Sequence, residues 1–378
     1  MPAPPVTIAV DLRALVPEAT GIGVYTRELL AALAARAGVE GSRAPRYLGM
    51  AHRRSPGVAA LAEHGIEIEI QPAPLGSVWQ QWRLPWRLRR GDVDLLFSPI
   101  FTLPVASPVP GVVTVPDLTV FDFPSAHTWK VRWSVRAPLA ATLRTAERVI
   151  AISHSTARDL ERLFPGSHAK TVVIHPGVSA RFQPGGDDEI AATREQLGAP
   201  DGYLLYVGTL EPRKNLGRLL DAWEGLRRAD EATPPLFLVG GEGWHSTALR
   251  RRIEKLAPLG LRHLGRMEDD DLVRHYQAAR AFAYPSLYEG FGLPVAEALA
   301  CGIPVLTSNV SSLPEVANGA ALTVDPESTE ALAEGLRRLV SDRTLAAELT
   351  ARGIERAAEL SWEKTAEATE TVLREAVR

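Results

Sequence analysis

YPSLYEGFGLPVAEALACGIPVLTS, residues 284–308, reads as a strand, a loop, a helix and a second strand in succession. The apolar run Phe282–Tyr284 enters it as a strand. A loop carrying Gly290 and Gly292 follows. A helix starts near Pro294, and proline suits a first helical turn because the N–H it lacks has no intrahelical partner there. The run Pro304–Thr307 then begins the next strand.

The same alternation extends in both directions. Short β-branched runs occur at Thr7–Val10, Ile66–Ile70, Leu95–Phe97, Val112–Val115, Val149–Ile152 and Thr171–Ile174. Others lie at Tyr203–Val207, Leu236–Val239 and Ala321–Val324. Between them, segments such as Gly217–Arg228 and Thr329–Leu339 place apolar residues at helical spacing. Alternating strands and helices predict an α/β fold with parallel sheets covered on both faces. Eleven strands divide better into two sheets of about six than into one. The chain of 378 residues also exceeds what one core usually organises. The boundary falls in HPGVSARFQPGGDD, residues 175–188, where proline, glycine and terminal acids mark an exposed linker. Two doubly wound, Rossmann-like domains facing across a cleft are expected. Ligands in such folds bind outside the carboxyl ends of the strands.

Composition excludes several classes. A net charge of -3 argues against a nucleic-acid binder. The single cysteine, Cys301, rules out a disulfide framework or a cysteine zinc cluster and reads as a small core residue. MPAPPVTIAV lacks the basic and apolar regions of a signal peptide, and no apolar run is long enough to span a bilayer. A cytoplasmic protein is expected. The histidines show no metal-ligand spacing, so neither a metal site nor a cofactor is expected.

Two segments carry the chemistry. In YVGTLEPRKNL, residues 206–216, a strand ends at Gly208, and Arg213 and Lys214 follow before a helix. Two cations at a strand's carboxyl end suit a diphosphate, and Gly208 lets a ligand approach the backbone. A solvated basic turn with Asn215 as a helix cap fits that segment equally well. In the second segment, Glu289 and Glu297 are spaced E-x7-E around a helix start whose free N–H groups form an anion site. Carboxylates beside a diphosphate would repel it, so both are expected to point at sugar hydroxyls. The alternatives are a surface loop acid at Glu289 and a favourable helix-terminal charge at Glu297.

Taken together, YVGTLEPRKNL, LVGGEGW, YPSLYEGFGLPVAEALACGIPVLTSNVSSLPEVA and SWEKTAEAT resemble glycosyltransferase family 4, in order and spacing. GIGVYTRELL at 21–30, the DL pair at 117–118 and AISHSTARDL at 151–160 agree with it. The resemblance spans nearly the whole chain. It implies the GT-B architecture. Residues 1–177 would form the acceptor domain, joined by a terminal helix over 361–378, and residues 178–360 the donor domain. It implies a retaining, metal-independent transferase using a nucleotide diphosphate sugar, GDP-mannose favoured, and a glycan or lipid-linked acceptor. By position, Arg213 and Lys214 match the pair holding the diphosphate, Glu297 the acid on the ribose, and Glu289 the acid facing the transferred sugar. Gly290, Phe291, Gly292 and Leu293 match the loop at sugar and phosphate. Gly240 and Gly241 match the end of the donor domain's second strand, and Leu264, Gly265 and Arg266 the segment bordering the base. Gly21 and Gly23, after the first strand and before a helix, match the loop against the donor phosphates. A nucleotide-sugar epimerase and a non-catalytic nucleotide-sugar-binding protein are the rival readings.

One departure stands out. Many relatives carry His-Asp-Leu where this chain has Pro116-Asp117-Leu118. Asp117 is therefore the candidate to orient the acceptor or take its proton, with His127 and His154 as local substitutes; a simple turn cap is the alternative. Finally, VWQQWRLPWRLRR, residues 78–90, mixes Trp79, Trp82 and Trp86 with arginines. It reads as an acceptor or membrane-surface helix, or as core tryptophans with Pro85 interrupting the helix, and the second reading is preferred. HTWKVRWSVR, residues 127–136, is read the same way.

Overall fold

The computed structural model describes residues 5–15, 21–41, 44–123, 129–243 and 247–377, with backbone alone for residues 40 and 129–134. Among the described residues, thirteen strands form two sheets. The first holds β1 Thr7–Asp11, β2 Arg46–Ala51, β3 Glu67–Ile70, β4 Leu95–Ser98, β5 Gly111–Val115, β6 Arg148–Ala151 and β7 Thr171–Val173. The second holds β8 Leu204–Val207, β9 Leu236–Val239, β10 Leu261–Gly265, β11 Ala281–Tyr284, β12 Val305–Ser308 and β13 Leu322–Val324. Their orders are β3-β2-β1-β4-β5-β6-β7 and β10-β9-β8-β11-β12-β13. Every pairing is parallel. Both are doubly wound Rossmann-type sheets, and the α/β reading holds.

The sequence pattern follows burial. Strands β4, β5, β8, β9, β11 and β12 are buried along their whole length. Strands covered by helices on both faces read as unbroken apolar runs, which is why their sequences are conspicuous. Two strands escape that reading. β2 is RYLGMA, with no β-branched residue and a glycine inside. β10 is LRHLG, an edge strand with only Leu261 buried.

The chain divides into one unit of residues 1–177 and 361–378 and a second of residues 178–360. The closing helix, Trp362–Val377, buries Trp362, Ala366, Val372 and Leu373. Its Trp362 ring meets Tyr25 at 5.9 Å, and Glu370 pairs with Arg36 at 3.2 Å. The hydroxyl of Thr365 donates to the His175 carbonyl at 2.8 Å.

Residues 76–88 correct the reading of Pro85 as a break. A short α turn, Gly76–Val78, passes into a π turn, Trp79–Arg83, and then into the helix Leu84–Leu88. The Leu84 N–H bonds back to the Trp79 carbonyl, and Pro85 falls in the first turn of the next piece, where its missing N–H costs nothing. The preference for core tryptophans holds only for Trp79, which is fully buried, whereas Trp82 and Trp86 are 76% and 67% exposed. The second tryptophan segment falls in the helix Trp129–Thr145, and His127 lies outside the described residues. No helix among the described residues is long and apolar enough to cross a membrane.

Gly177 fixes how the terminal helix begins. A β-carbon there would lie 2.2 Å from the Trp362 nitrogen and 2.5 Å from the Ser361 carbonyl carbon, both backbone atoms that cannot rotate aside. Gly177→Ala should therefore destabilise the first unit by roughly 1–3 kcal/mol, the usual cost of overpacking. Denaturant unfolding of both proteins measures it, and an unchanged midpoint would show that the two backbones are not held together there.

Candidate functional site

In the second sheet the strand order reverses between β8 and β11. Loops leaving these neighbours run to opposite sides and open a crevice at their carboxyl ends. Gly208 ends β8 with φ 154°, and Gly240 ends β9 with φ 142°. A β-carbon on Gly240 would sit 2.1 Å from the Gly208 carbonyl oxygen, so no other residue fits. The Gly240 N–H donates to the Gly265 carbonyl at 2.8 Å, and Gly265 ends β10. Three adjacent strands thus end in bare backbone. Gly241 and Leu264 flank this floor, and Arg266 beside it is exposed.

After β8 the chain forms a 3-10 turn, Pro212–Lys214, and enters the helix Leu216–Ala229 through Asn215 at φ 59°. Asn215 does not cap that helix with its side chain, as the bland reading had it. Its amide donates to the Pro326 carbonyl at 2.6 Å. Arg213 donates through Nη1 to Glu289 Oε2 at 2.8 Å and to the Tyr288 carbonyl at 2.9 Å. Its Nε pairs with Glu211 at 2.7 Å. Lys214 is buried and donates to Glu289 Oε1 and to the Tyr284 hydroxyl, both at 2.6 Å. Glu289 also accepts from Ser286 Oγ at 2.6 Å and Tyr284 Oη at 3.0 Å.

Glu289, expected to point at sugar hydroxyls, has both cations as its neighbours in the structure. Its carboxylate, 7% exposed, faces both of them. A buried carboxylate needs opposite charge within hydrogen-bond reach to stay ionised, which explains the arrangement. Burial pushes its pKa up, but the charges of Arg213 and Lys214 outweigh this and hold it at about 2. Burial likewise pushes the Lys214 ammonium down against the pull of Glu289. The two atoms lie 2.6 Å apart, so the charge of each offsets part of the cost of burying the other. Burial and the Glu289 charge raise the Tyr284 hydroxyl well above its ordinary value, so it remains a donor.

Serines pin the loop between β11 and the helix Leu293–Ala300. Ser311 and Ser312 donate to the Glu289 carbonyl at 2.6 and 2.9 Å, and Ser312 also to Phe291 at 2.7 Å. The Leu287 N–H donates to the Arg213 carbonyl at 2.8 Å, tying this loop to the one after β8. Gly290 and Phe291 are buried within it. Gly292, at φ 111°, starts the helix with no side chain capping it, and Leu293 is its half-buried first residue. One turn in, Glu297 is half-buried and accepts from Tyr276 Oη at 2.9 Å. Arg213, Lys214 and Glu289 therefore meet at the reversal point, and Gly292 and Glu297 follow on the loop and helix after β11, with Tyr284, Ser286, Glu211, Tyr276 and the two serines as partners that sequence reading missed. Their only signal was a hydroxyl or carboxyl, at a strand end for Tyr284, in a helix for Tyr276 and in loops for Glu211, Ser286, Ser311 and Ser312. Cys301 is buried, and burial pushes its thiol up, away from reactivity.

The remaining candidates lie in the first unit. Gly21 and Gly23 fall inside the first turn of the helix Gly21–Glu40 rather than before it. Asp117 follows β5, half-buried, and its Oδ1 accepts from the Thr119 N–H at 3.0 Å and hydroxyl at 2.6 Å. Pro116 is buried; His154, after β6, is exposed and meets His175 edge-on at 5.8 Å. At this sheet's own reversal point, between β1 and β4, a polar cluster went unread in the sequence. The fully buried Asp11 holds Arg13 Nε at 2.8 Å and Gln80 at 3.2 Å, and Gln80 also donates to the Thr102 carbonyl at 2.6 Å.

Comparison with known proteins bears on this geometry. Residues 189–358 match the family model described as Glycosyl transferases group 1, and residues 19–182 that described as Glycosyltransferase Family 4. The chain is 36% identical over 284 residues to O-antigen chain mannosyltransferase B of Escherichia coli, covering 74% of each protein. It is 34% identical over 246 residues to D-inositol 3-phosphate glycosyltransferase of Streptomyces bingchenggensis, covering 62% of this chain and 54% of that one. Among solved structures, Anabaena HepE in complex with UDP and glucose superposes with a TM-score of 0.77 at 18% identity, over 97% of this chain and 99% of that one. WaaG, a glycosyltransferase involved in lipopolysaccharide biosynthesis, gives 0.74 at 16%, over 97% and 99%. At these identities the two structures establish the GT-B fold.

The buried charge cluster should show in stability. The Glu289 pKa is lower folded than unfolded, so its contribution is complete above the unfolded value near ~4.3 and is lost as pH falls toward about 2. The amount is on the order of 3 kcal/mol. Glu289→Gln should cost roughly 3–5 kcal/mol at pH 7, because it leaves the buried Lys214 ammonium without its counter-ion while Arg213 keeps Glu211, and should flatten the pH dependence in that window. Unfolding free energies from pH 2 to 7 test this; parallel curves for both proteins would overturn it.

Proposed function

This chain belongs to the glycosyltransferases of group 1 and family 4, and on that premise we propose that it moves a hexose, mannose in the first instance, from a nucleotide diphosphate sugar to a glycan or lipid-linked acceptor with retention of anomeric configuration. The observation that carries this reading is the Arg213–Lys214–Glu289 cluster at the β8/β11 reversal. Mannose as the sugar, and GDP-mannose as its donor, rest on the 36% identity to an O-antigen mannosyltransferase. A cytoplasmic setting is part of the same proposal.

In this proposal Arg213 and Lys214 take the diphosphate, whose negative charge grows as the glycosidic bond breaks. Glu289 keeps both cations charged and aimed, and presents its carboxylate to a sugar hydroxyl when the donor binds. Glu297, oriented by Tyr276, accepts from the ribose. Gly208, Gly240 and Gly265 let the nucleotide lie against backbone, and the helix starting at Gly292 adds its N-terminal dipole. The acceptor oxygen bonds to the anomeric carbon as the bond to the diphosphate oxygen breaks, and the electron pair leaves with the diphosphate. The acceptor proton passes to Asp117. Two side-chain cations then fill the part that a divalent metal fills in other transferases.

Thermal shift with GDP-mannose, UDP-glucose, UDP-N-acetylglucosamine and dTDP-rhamnose tests the donor. A ligand at a hundred times its Kd stabilises by about 2.7 kcal/mol, and GDP-mannose should give the largest shift. Turnover should persist in EDTA. Preference for a uridine donor would overturn the GDP-mannose assignment, and loss of turnover in EDTA restored by Mg²⁺ would overturn metal independence.

Asp117 has a sharper test because its observed bonds fit a turn cap. Asparagine keeps the oxygen that accepts from Thr119 but loses the base. Asp117→Asn should retain fold and donor affinity while transfer falls by roughly 10²–10⁴-fold, the usual scale for a general base. Wild-type turnover would leave Asp117 a cap. Tight donor binding by the wild type with no turnover on any acceptor would favour the non-catalytic rival.

A further inference from the structure

The outward face of residues 75–90 has no part in sugar transfer as described. Eight large apolar side chains are exposed among the described residues, and five of them gather here: Leu75, Val78, Trp82, Trp86 and Val105. The first four follow helical spacing. Val105 joins them through Gln81, whose Oε1 accepts the Val105 N–H at 3.0 Å. The π turn makes this face. It takes an extra residue into one turn, so Trp79 points into the core while Trp82 and Trp86 stay outside.

The inward face holds the segment firmly. Trp79 Nε1 donates to Gln71 at 3.2 Å, and Gln80 reaches Asp11 and Thr102. Arg87, buried, pairs with Glu69 at 2.7 Å and Asp92 at 2.6 Å. The exposed arginines differ. Arg83, Arg89 and Arg90 form no ion pair among the described residues, and Arg90 lies 5.8 Å from the Trp86 ring centre. Tryptophan and arginine, apolar in body and polar at the tip, sit stably at the level of phospholipid headgroups. Unpaired guanidiniums bind phosphate well. The protein as a whole carries a charge of -3, so attraction to an anionic surface must be local to such a face.

We propose that this face, Leu75, Val78, Trp82, Trp86 and Val105 with Arg83, Arg89 and Arg90, docks the protein on an anionic phospholipid surface. The docking is peripheral, with two indole rings at headgroup depth and three guanidiniums on lipid phosphates. It stands on the surface alone and does not depend on the sugar-transfer reading.

Co-sedimentation of the full chain with vesicles of phosphatidylcholine, alone or with about a third phosphatidylglycerol, tests it. Binding should appear with phosphatidylglycerol and weaken in high salt. Changing Arg83, Arg89 and Arg90 to Gln together should weaken it about a hundredfold. The double variant Trp82→Ala, Trp86→Ala should weaken it at least about tenfold, with the melting temperature unchanged because both rings are exposed. Should that variant melt early, quenching of tryptophan emission by brominated lipid in the wild type, lost in Trp82→Phe, Trp86→Phe, gives the same answer. Failure of the wild type to bind, equal binding by all variants, or a wild-type dimer that the tryptophan changes dissociate would overturn the proposal; the last would assign the face to a second copy.

Discussion

A carboxylate closed off from water stays charged only beside cations, and Glu289 meets that condition through Arg213 and Lys214. The three residues come from loops far apart in sequence that leave neighbouring strands. Holding them together fixes the path of both loops. The serines after β12 complete the hold from below, and Tyr284 relays between ammonium and carboxylate. The cluster is thus both a structural clamp and the charged part of the candidate site, and any anion entering the crevice must compete with a carboxylate already seated there.

Most of the fold was legible because its strands are buried on both faces. Phe282–Tyr284 or Leu236–Val239 read as strands with no help from context. β2 and β10 did not, since β2 draws its place from neighbours on either side rather than from its own propensity, and β10 is half-exposed at an edge. The site was legible where chemistry is concentrated in a few residues, as at Arg213 and Lys214. Its second layer was not. Tyr276 in a helix and Tyr284 at a strand end look like ordinary core aromatics until a carboxylate is seen against each hydroxyl.

Residues 78–90 show the opposite difficulty. Alternating tryptophan and arginine fits a core helix and a surface helix equally well. A π turn, invisible to any argument from regular periodicity, sends Trp79 inward and Trp82 outward. Pro85 reads as a break, yet it sits where a new helical piece begins. The Asp11–Gln80 bond depends on the same turn, so one irregularity both seals the first sheet's polar cluster and shapes the face outside it.

The terminal helix has a consequence for how the protein is made. Residues 361–378 complete the unit formed by residues 1–177, and residues 178–360 are inserted between its two parts. Chain growth on the ribosome delivers the inserted unit whole while its host still lacks Trp362, Ala366 and Leu373. Residues 1–177 are therefore synthesised before residues 178–360 yet completed only after them, and until residues 361–378 emerge their uncovered apolar surface is open to association with other chains.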